Sequence, residues 1–199
     1  WYNGDTGSSL TTSQYRLSNI ITRDSIIDDC YDGVQHNRDF GTSQILRNII
    51  TNAAPGTQSA YNGAIVIGHE MGDYTIDSNY IEDCDGFGIN AQNANDGGSG
   101  DIALMQNNVI WKVGHHVSSG RNDAIKVAGG NLHQVIIRYN TIIEVGVGGA
   151  RQGVNQSNMN SGCLVDYYGN IMLDIEGSTV LDTSVTPRTN THNHTDNST

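Results

Sequence analysis

Lys126 is one of only two lysines in the chain, and it stands in the sequence Ala124-Ile125-Lys126-Val127. A strand there turns Ile125 and Val127 inward and Lys126 outward. The matching positions elsewhere in the chain are Gln35, Val66, Asn90 and Asn155, and Gln92, Arg121, Asn122, Asp123, Arg151 and Gln152 lie close by in sequence. A flat sheet carrying Asn, Gln, Lys and Arg offers many planar hydrogen-bonding groups, which is what a carbohydrate chain requires. The expected glycan contacts are therefore Gln35, Asn90, Gln92, Asn122 and Asn155.

The carboxylates support two further chemistries. Asp28, Asp29, Asp32, Glu82, Asp83 and Asp85 are close enough in sequence to supply the acid and base of a glycoside hydrolase. They also fall at turns, where acidic residues are common for backbone reasons alone. Ca2+ takes its oxygen ligands from several such side chains. The stretch 93–101, Asn-Ala-Asn-Asp-Gly-Gly-Ser-Gly-Asp, looks partly like a calcium-binding nonapeptide, though it occurs once and is one residue short. Asp83, Asp85, Asp96 and Asp101 are the expected ligands if calcium is the cofactor. Of the histidines, His36 falls in a column with Ile67, Ala91, Val127 and Gln156 and is expected to point inward. None of the seven has the spacing of a closed zinc site, and no phosphate-binding loop, dinucleotide fingerprint or Ser-His-Asp order is present.

All these side chains need a scaffold, and the chain spells one out by repetition. A hydrophobic-x-x-Asn-x-hydrophobic signature recurs around Asn48, Asn79, Asn108, Asn140 and Asn170, at steps of 31, 29, 32 and 30 residues. Ile45, Ile76, Met105, Ile137 and Tyr167 come three residues before the Asn, and Ile50, Ile81, Ile110, Ile142 and Met172 two after. An earlier copy places Asp24 in the Asn slot, 24 residues before Asn48. A later segment of each repeat opens with a small residue and a β-branched one, as in Gly33-Val34, Ala64-Ile65 and Gly153-Val154. Short alternating strands separated by Gly or Asn corners, at one period near thirty, describe the coils of a β-solenoid. Stacked coils place like residues on like. The Asn column then forms a ladder of side-chain amides, in residues that tolerate left-handed backbone at a corner.

Composition narrows the rest. The 199 residues include 24 glycines and 2 prolines, which suits many tight turns, and no window shows helical apolar spacing with caps. The net charge of −11 argues against a nucleic-acid partner, whose binding depends on Lys and Arg. No apolar run is long enough to span a membrane. Cys30 and Cys84 fall two coils apart in a buried small-residue column, with one insertion needed to align Cys30. At about 4.8 Å per coil the pair would be roughly 10 Å apart, beyond the reach of about 7 Å that a disulfide allows.

The repeat and its Asn ladder resemble the right-handed parallel β-helix of the pectin-lyase-like superfamily, over roughly residues 14–176. The expected fold is all-β, a right-handed parallel β-helix of about six coils. Residues 1–13 are expected to form a partial coil or cap. Residues 177–199 form a Ser/Thr/Asn-rich tail docked on the solenoid or on a neighbour. The chain itself reads as a mature form or a piece of a longer protein. The resemblance implies an extracellular or cell-surface setting and a polysaccharide or surface glycan as partner. It also implies a mechanism, β-elimination on a uronate polysaccharide. Lys126 would take the proton, and Arg121, Arg138 or Arg151, with Ca2+, would neutralise the carboxylate. The alternative is a structural subunit, adhesin or tailspike segment that assembles with copies of itself through open solenoid ends or the tail. Asn155, Asn193 and Asn197 each head an N-glycosylation sequon, relevant in a secreted context.

Overall fold

A computed structural model describes residues 2–3, 19–37, 41–53, 63–68, 72–92, 101–114, 123–128, 132–146, 152–157, 159, 162–176 and 186–196. The regular structure among them is all strand, in three parallel sheets of six, seven and seven strands. Among the described residues no helix is long and apolar enough to cross a membrane. The first sheet stacks Tyr2–Asn3, Val34–His36, Gly63–Ile67, Phe87–Gln92, Ile125–Ala128 and Val154–Ser157. The second stacks Ile21–Arg23, Ser43–Leu46, Tyr74–Asp77, Ile102–Gln106, Gln134–Arg138, Leu164–Tyr168 and Thr189–Thr191. The third stacks Ile26–Cys30, Ile49–Ala53, Tyr80–Cys84, Val109–Val113, Thr141–Val145, Ile171–Ile175 and His194–Asp196. The chain visits the three sheets in turn and then begins the next coil, so each strand pairs with its counterpart one repeat away. This is a parallel β-helix.

The core follows the period-two alternation. Ile45, Ile76, Met105, Ile137 and Tyr167 form one inward column, and Ile50, Ile81, Ile110, Ile142 and Met172 another; all are buried. Each such Ile contributes roughly 1.5–3 kcal/mol through burial. A third column, Gly33, Ala64, Gly88, Ala124 and Gly153, is small throughout: the next coil's backbone passes over Gly33 and Gly88, and the Met172 side chain lies over Gly153. A Cβ on Gly33 would lie 2.5 Å from the Ala64 carbonyl oxygen, and one on Gly88 2.6 Å from that of Ala124. The three cysteines are free thiols. Burial pushes the Cys84 thiol up to about 12, as suits a packed, unreactive side chain.

Between the second and third sheets runs the asparagine ladder. Each Asn Oδ1 accepts both the backbone N–H and the Nδ2 of the preceding rung, at 3.0–3.1 Å from Asn48 through Asn170. Each Nδ2 also reaches back to a backbone carbonyl of the preceding coil, Thr22, Ile45, Ile76, Met105 and Ile137 in turn. Both polar ends of each ladder amide from Asn48 to Asn170 are thus engaged.

The structure corrects three expectations at this corner. The rung before Asn48 is Ser25, whose N–H donates to Asn48 Oδ1, and not Asp24. Arg23 pairs with Leu46, which sets Asp24 beside Arg47, and Arg47 holds Asp24 through Nε and Nη2. With Ser25 as the rung, Cys30 aligns with Ala53 and needs no insertion. Second, the left-handed residue is the one before each rung: Asp24, Arg47, Ser78, Asn107, Tyr139, Gly169 and His192. The rungs keep ordinary backbone and are Asn for their amides alone. Third, the ladder runs on into the tail. Asn193 Oδ1 accepts Asn170 N and Nδ2, both at 3.0 Å.

The tail therefore extends the second and third sheets. In register with Tyr167 and Met172 it places Asn190 and Thr195, so the inward columns end on polar residues, as terminal repeats of solenoids do. Arg188 clasps Asp166 through Nε at 2.9 Å and through Nη2, fastening this coil to the strand beneath it.

Candidate functional site

The row around Lys126 exists in the register expected. Gln35 pairs with Val66, Val66 with Asn90, Asn90 with Lys126 and Lys126 with Asn155. It is not an open polar face, however. Asn90 is 1% exposed and Asn155 6%. Lys126 is half-buried, with Nζ 5.0 Å from the Phe87 ring centroid. Asn155 Nδ2 donates to Asp123 Oδ2 at 2.9 Å, and Asp123 Oδ1 accepts the Gln152 N–H. Asp123, buried, thus braces the row from within. Gln92 ends its strand. Arg121, Asn122, Arg151 and Asp96 lie outside the described residues.

Arg138 ends its strand in the second sheet, whereas Lys126 belongs to the first. The structure does not bring the two together. Asp83 occupies a left-handed corner in the third-sheet strand Tyr80–Cys84, Asp85 is buried just beyond it, and Asp101 precedes a second-sheet strand. Among the described residues no three His, Cys, Asp or Glu side chains converge as a cation site. His36 points inward as expected. Its Nδ1 lies 2.5 Å from Ser43 Oγ and its Nε2 2.9 Å from Thr22 Oγ1. Two of the three sequon asparagines have other work for the nitrogen a glycan would need: Asn155 Nδ2 on Asp123, and Asn193 Nδ2 on the Tyr167 carbonyl and Asn190 Oδ1.

Arg138 instead joins a different constellation. On the outer face of the second sheet, Asp77, Gln106, Arg138 and Tyr168 are stacked in register from four successive coils. They are linked side chain to side chain. Gln106 Nε2 donates to Asp77 Oδ2 at 2.8 Å, Arg138 Nε to Gln106 Oε1 at 2.7 Å, and Arg138 Nη1 to Tyr168 Oη at 2.8 Å. Asn107 Nδ2 and Ser78 Oγ donate to Asp77 Oδ1. Burial pushes the Asp77 carboxyl up, but these three donors, with Arg138 beyond, outweigh it and hold it below the usual carboxylate range.

The row ends on aromatic rings. Tyr139 and Tyr168 meet edge to face with centroids 5.5 Å apart, and the Arg138 guanidinium lies 5.9 Å from the Tyr139 centroid. Tyr139 is 55% exposed and sits at φ 55, a backbone region unusual for a bulky side chain. The next coil makes room for it. A Cβ on Gly169, itself at φ +66, would lie 2.6 Å from the Tyr139 ring. The left-handed φ is shared by every residue before a rung; what sets this corner apart is an exposed aromatic ring with a glycine opposite to admit it.

Sequence reasoning named Arg138 but missed Asp77, Gln106, Tyr139 and Tyr168. The signal was present. These residues fall one or two positions before the ladder Asn, where the alternation that buries Ile76, Met105 and Ile137 turns the next residue outward.

No protein-family model, curated protein or solved structure matches the chain. The class is that of the parallel β-helix, established by its own strand register.

Proposed function

We propose that the protein is a glycan-engaging β-helix module and that the outer face of its second sheet holds the carbohydrate. The carrying observation is the unbroken chain Asp77–Gln106–Arg138–Tyr168, closed by the exposed Tyr139. Sugars are bound by planar polar side chains fixed in advance by their own hydrogen bonds, with an aromatic ring to receive an apolar C–H face. Preorganisation matters because every side chain immobilised only on binding costs affinity. The row meets that need across four coils. Membership of the pectin-lyase-like superfamily and an extracellular or cell-surface location are parts of the same proposal, resting on the repeat and the Asn ladder.

Binding is the reading favoured over cleavage. Of the expected base-and-arginine set, the described residues are Lys126 and Arg138, and they stand on different sheets.

The test is a panel of immobilised polysaccharides probed with the wild type and with Tyr139→Asn. Asn accepts left-handed backbone better than Tyr, so the variant is expected to unfold at the same temperature or higher. Its affinity for the bound glycan is expected to fall about tenfold, or roughly 1.4 kcal/mol. A folded Tyr139→Asn that binds as the wild type does would remove this face from consideration. A wild type that binds nothing on the panel would remove the function.

A further inference from the structure

We infer that the row takes a neutral, unbranched, equatorially linked pyranose chain lying along the solenoid axis, one sugar to each coil. The inference rests on the glycan-binding reading above and specifies its ligand.

Direction follows from spacing. Asp77, Gln106, Arg138 and Tyr168 come from successive coils, so adjacent members are about 4.7–4.9 Å apart along the axis. That step is close to the advance of one residue in an extended, equatorially linked pyranose chain. Such a chain meets a fresh side chain at each sugar. A chain bent by axial linkages curls off the row after one or two residues. A chain crossing the sheet at right angles meets only one member.

Charge selects against polyanions. Within the row one guanidinium faces one carboxylate, and both are already engaged: Arg138 on Gln106 and Tyr168, Asp77 on Gln106, Asn107 and Ser78. Of the described guanidinium groups nearby on this side, Arg188 is matched by Asp166, and Arg47 and Arg23 share Asp24. Among the described residues of this face the cations thus form no regular series to meet successive uronate carboxylates, and a chain of net charge −11 repels them at longer range. Sugar hydroxyls, which donate and accept equally, suit a row that offers both. At one end Asp77 Oδ2, with Gln106 as its donor, keeps a lone pair for a hydroxyl. At the other, the Tyr168 hydroxyl accepts from Arg138 and keeps its own proton to donate. Equatorial pyranoses also present a flat C–H face, the partner the exposed Tyr139 ring requires.

Titration calorimetry of the full chain tests this with β-1,4-linked gluco-, manno- and xylo-oligosaccharides of two to six sugars, beside oligogalacturonates of the same lengths. At least one neutral series is expected to bind. Affinity should rise roughly two- to tenfold per added sugar, the worth of about one side-chain hydrogen bond, and level off at four. Gln106→Leu should weaken the tetramer at least twofold, with thermal unfolding confirming that the variant folds. Oligogalacturonates binding more tightly than every neutral series would overturn the ligand class and leave the glycan reading standing. A neutral disaccharide binding as tightly as its hexamer would overturn the axial direction. Binding by none of the series would end the inference and the glycan reading together.

Discussion

Replacing Asn108 by Ala asks how much of the fold depends on the ladder. Asn108 is fully buried at the middle of the column. Its Oδ1 accepts Asn79 N and Asn79 Nδ2, and its Nδ2 donates to the Ile76 carbonyl and to Asn140 Oδ1, all at 3.0 Å. Truncation does not strand every partner. Asn79 Nδ2 keeps the Ile45 and Asp77 carbonyls, and Asn140 Oδ1 keeps the Asn108 backbone N–H. The Asn79 N–H is left without its acceptor in a dry corner, at about 1–3 kcal/mol, and the two donated bonds add about 0.5–1.5 kcal/mol each. The expected loss is therefore roughly 2–6 kcal/mol, a large share of the roughly 5–15 kcal/mol that holds a domain together. Urea unfolding followed by far-ultraviolet circular dichroism should show the midpoint falling by about 1–3 M. Asn108→Asp provides the sign check. It keeps an acceptor oxygen but loses the donor and buries an anion. Its folded-state carboxyl is pushed up, so the folded state binds more protons and stability should rise as pH falls. A loss below about 0.5 kcal/mol for Asn108→Ala would refute the reasoning, since the Asn79 N–H would then have found water or another acceptor.

Three further outcomes are expected. Gly88→Ala drives a Cβ to 2.6 Å from the Ala124 carbonyl oxygen and 2.8 Å from Ile110 Cγ2; it should cost about 1–3 kcal/mol in thermal unfolding, whereas Ala64→Gly in the same column should cost at most about 1 kcal/mol. The Asp166 carboxyl is held below its ordinary value, chiefly by the Arg188 hydrogen bonds. The stabilisation is therefore present above the unfolded carboxylate range and lost as pH falls through the depressed folded value; the protection of the 186–196 amides, referred to the intrinsic exchange rate at each pH, should fall on acidification, and Asp166→Asn should lower it at neutral pH. Gly169→Ala meets left-handed backbone and the Tyr139 ring at once; it should lower stability by about 1–2 kcal/mol in thermal unfolding and weaken glycan binding.

Much of the fold was legible because a solenoid is built from local, repeating rules. Hydrophobic alternation and a thirty-residue period placed Ile45, Ile76, Met105 and Ile137 in one column and the asparagines from 48 to 170 in another, with no knowledge of tertiary contacts. The failures came at the ends, where the period changes. Both terminal steps of the ladder are 23 residues, Ser25 to Asn48 and Asn170 to Asn193. The signature match at Ile21–Ile26 therefore misassigned the first rung to Asp24, and a spacing rule near thirty left Asn193 in a tail. Residue type misled as well. Asp24 looks more like Asn than Ser25 does, but the corner needs left-handed backbone at one position and an amide partner at the next.

The sequence by itself determined the parallel β-helix, its inward columns and its amide ladder, because those depend only on which residues recur at a fixed step. It also determined that Gln35, Val66, Asn90, Lys126 and Asn155 share a row. Only the tertiary structure decided that Asn90 and Asn155 in that row are buried, and that Lys126 and Arg138 belong to different sheets. It also decided that Asp77, Gln106, Arg138 and Tyr168 join into one hydrogen-bonded chain beside Tyr139. The physical reason is that periodicity says which side chains face outward and which share a register. Whether an outward side chain meets water, another coil's polar group or an aromatic ring depends on atoms some thirty residues away along the chain and one strand spacing away in space.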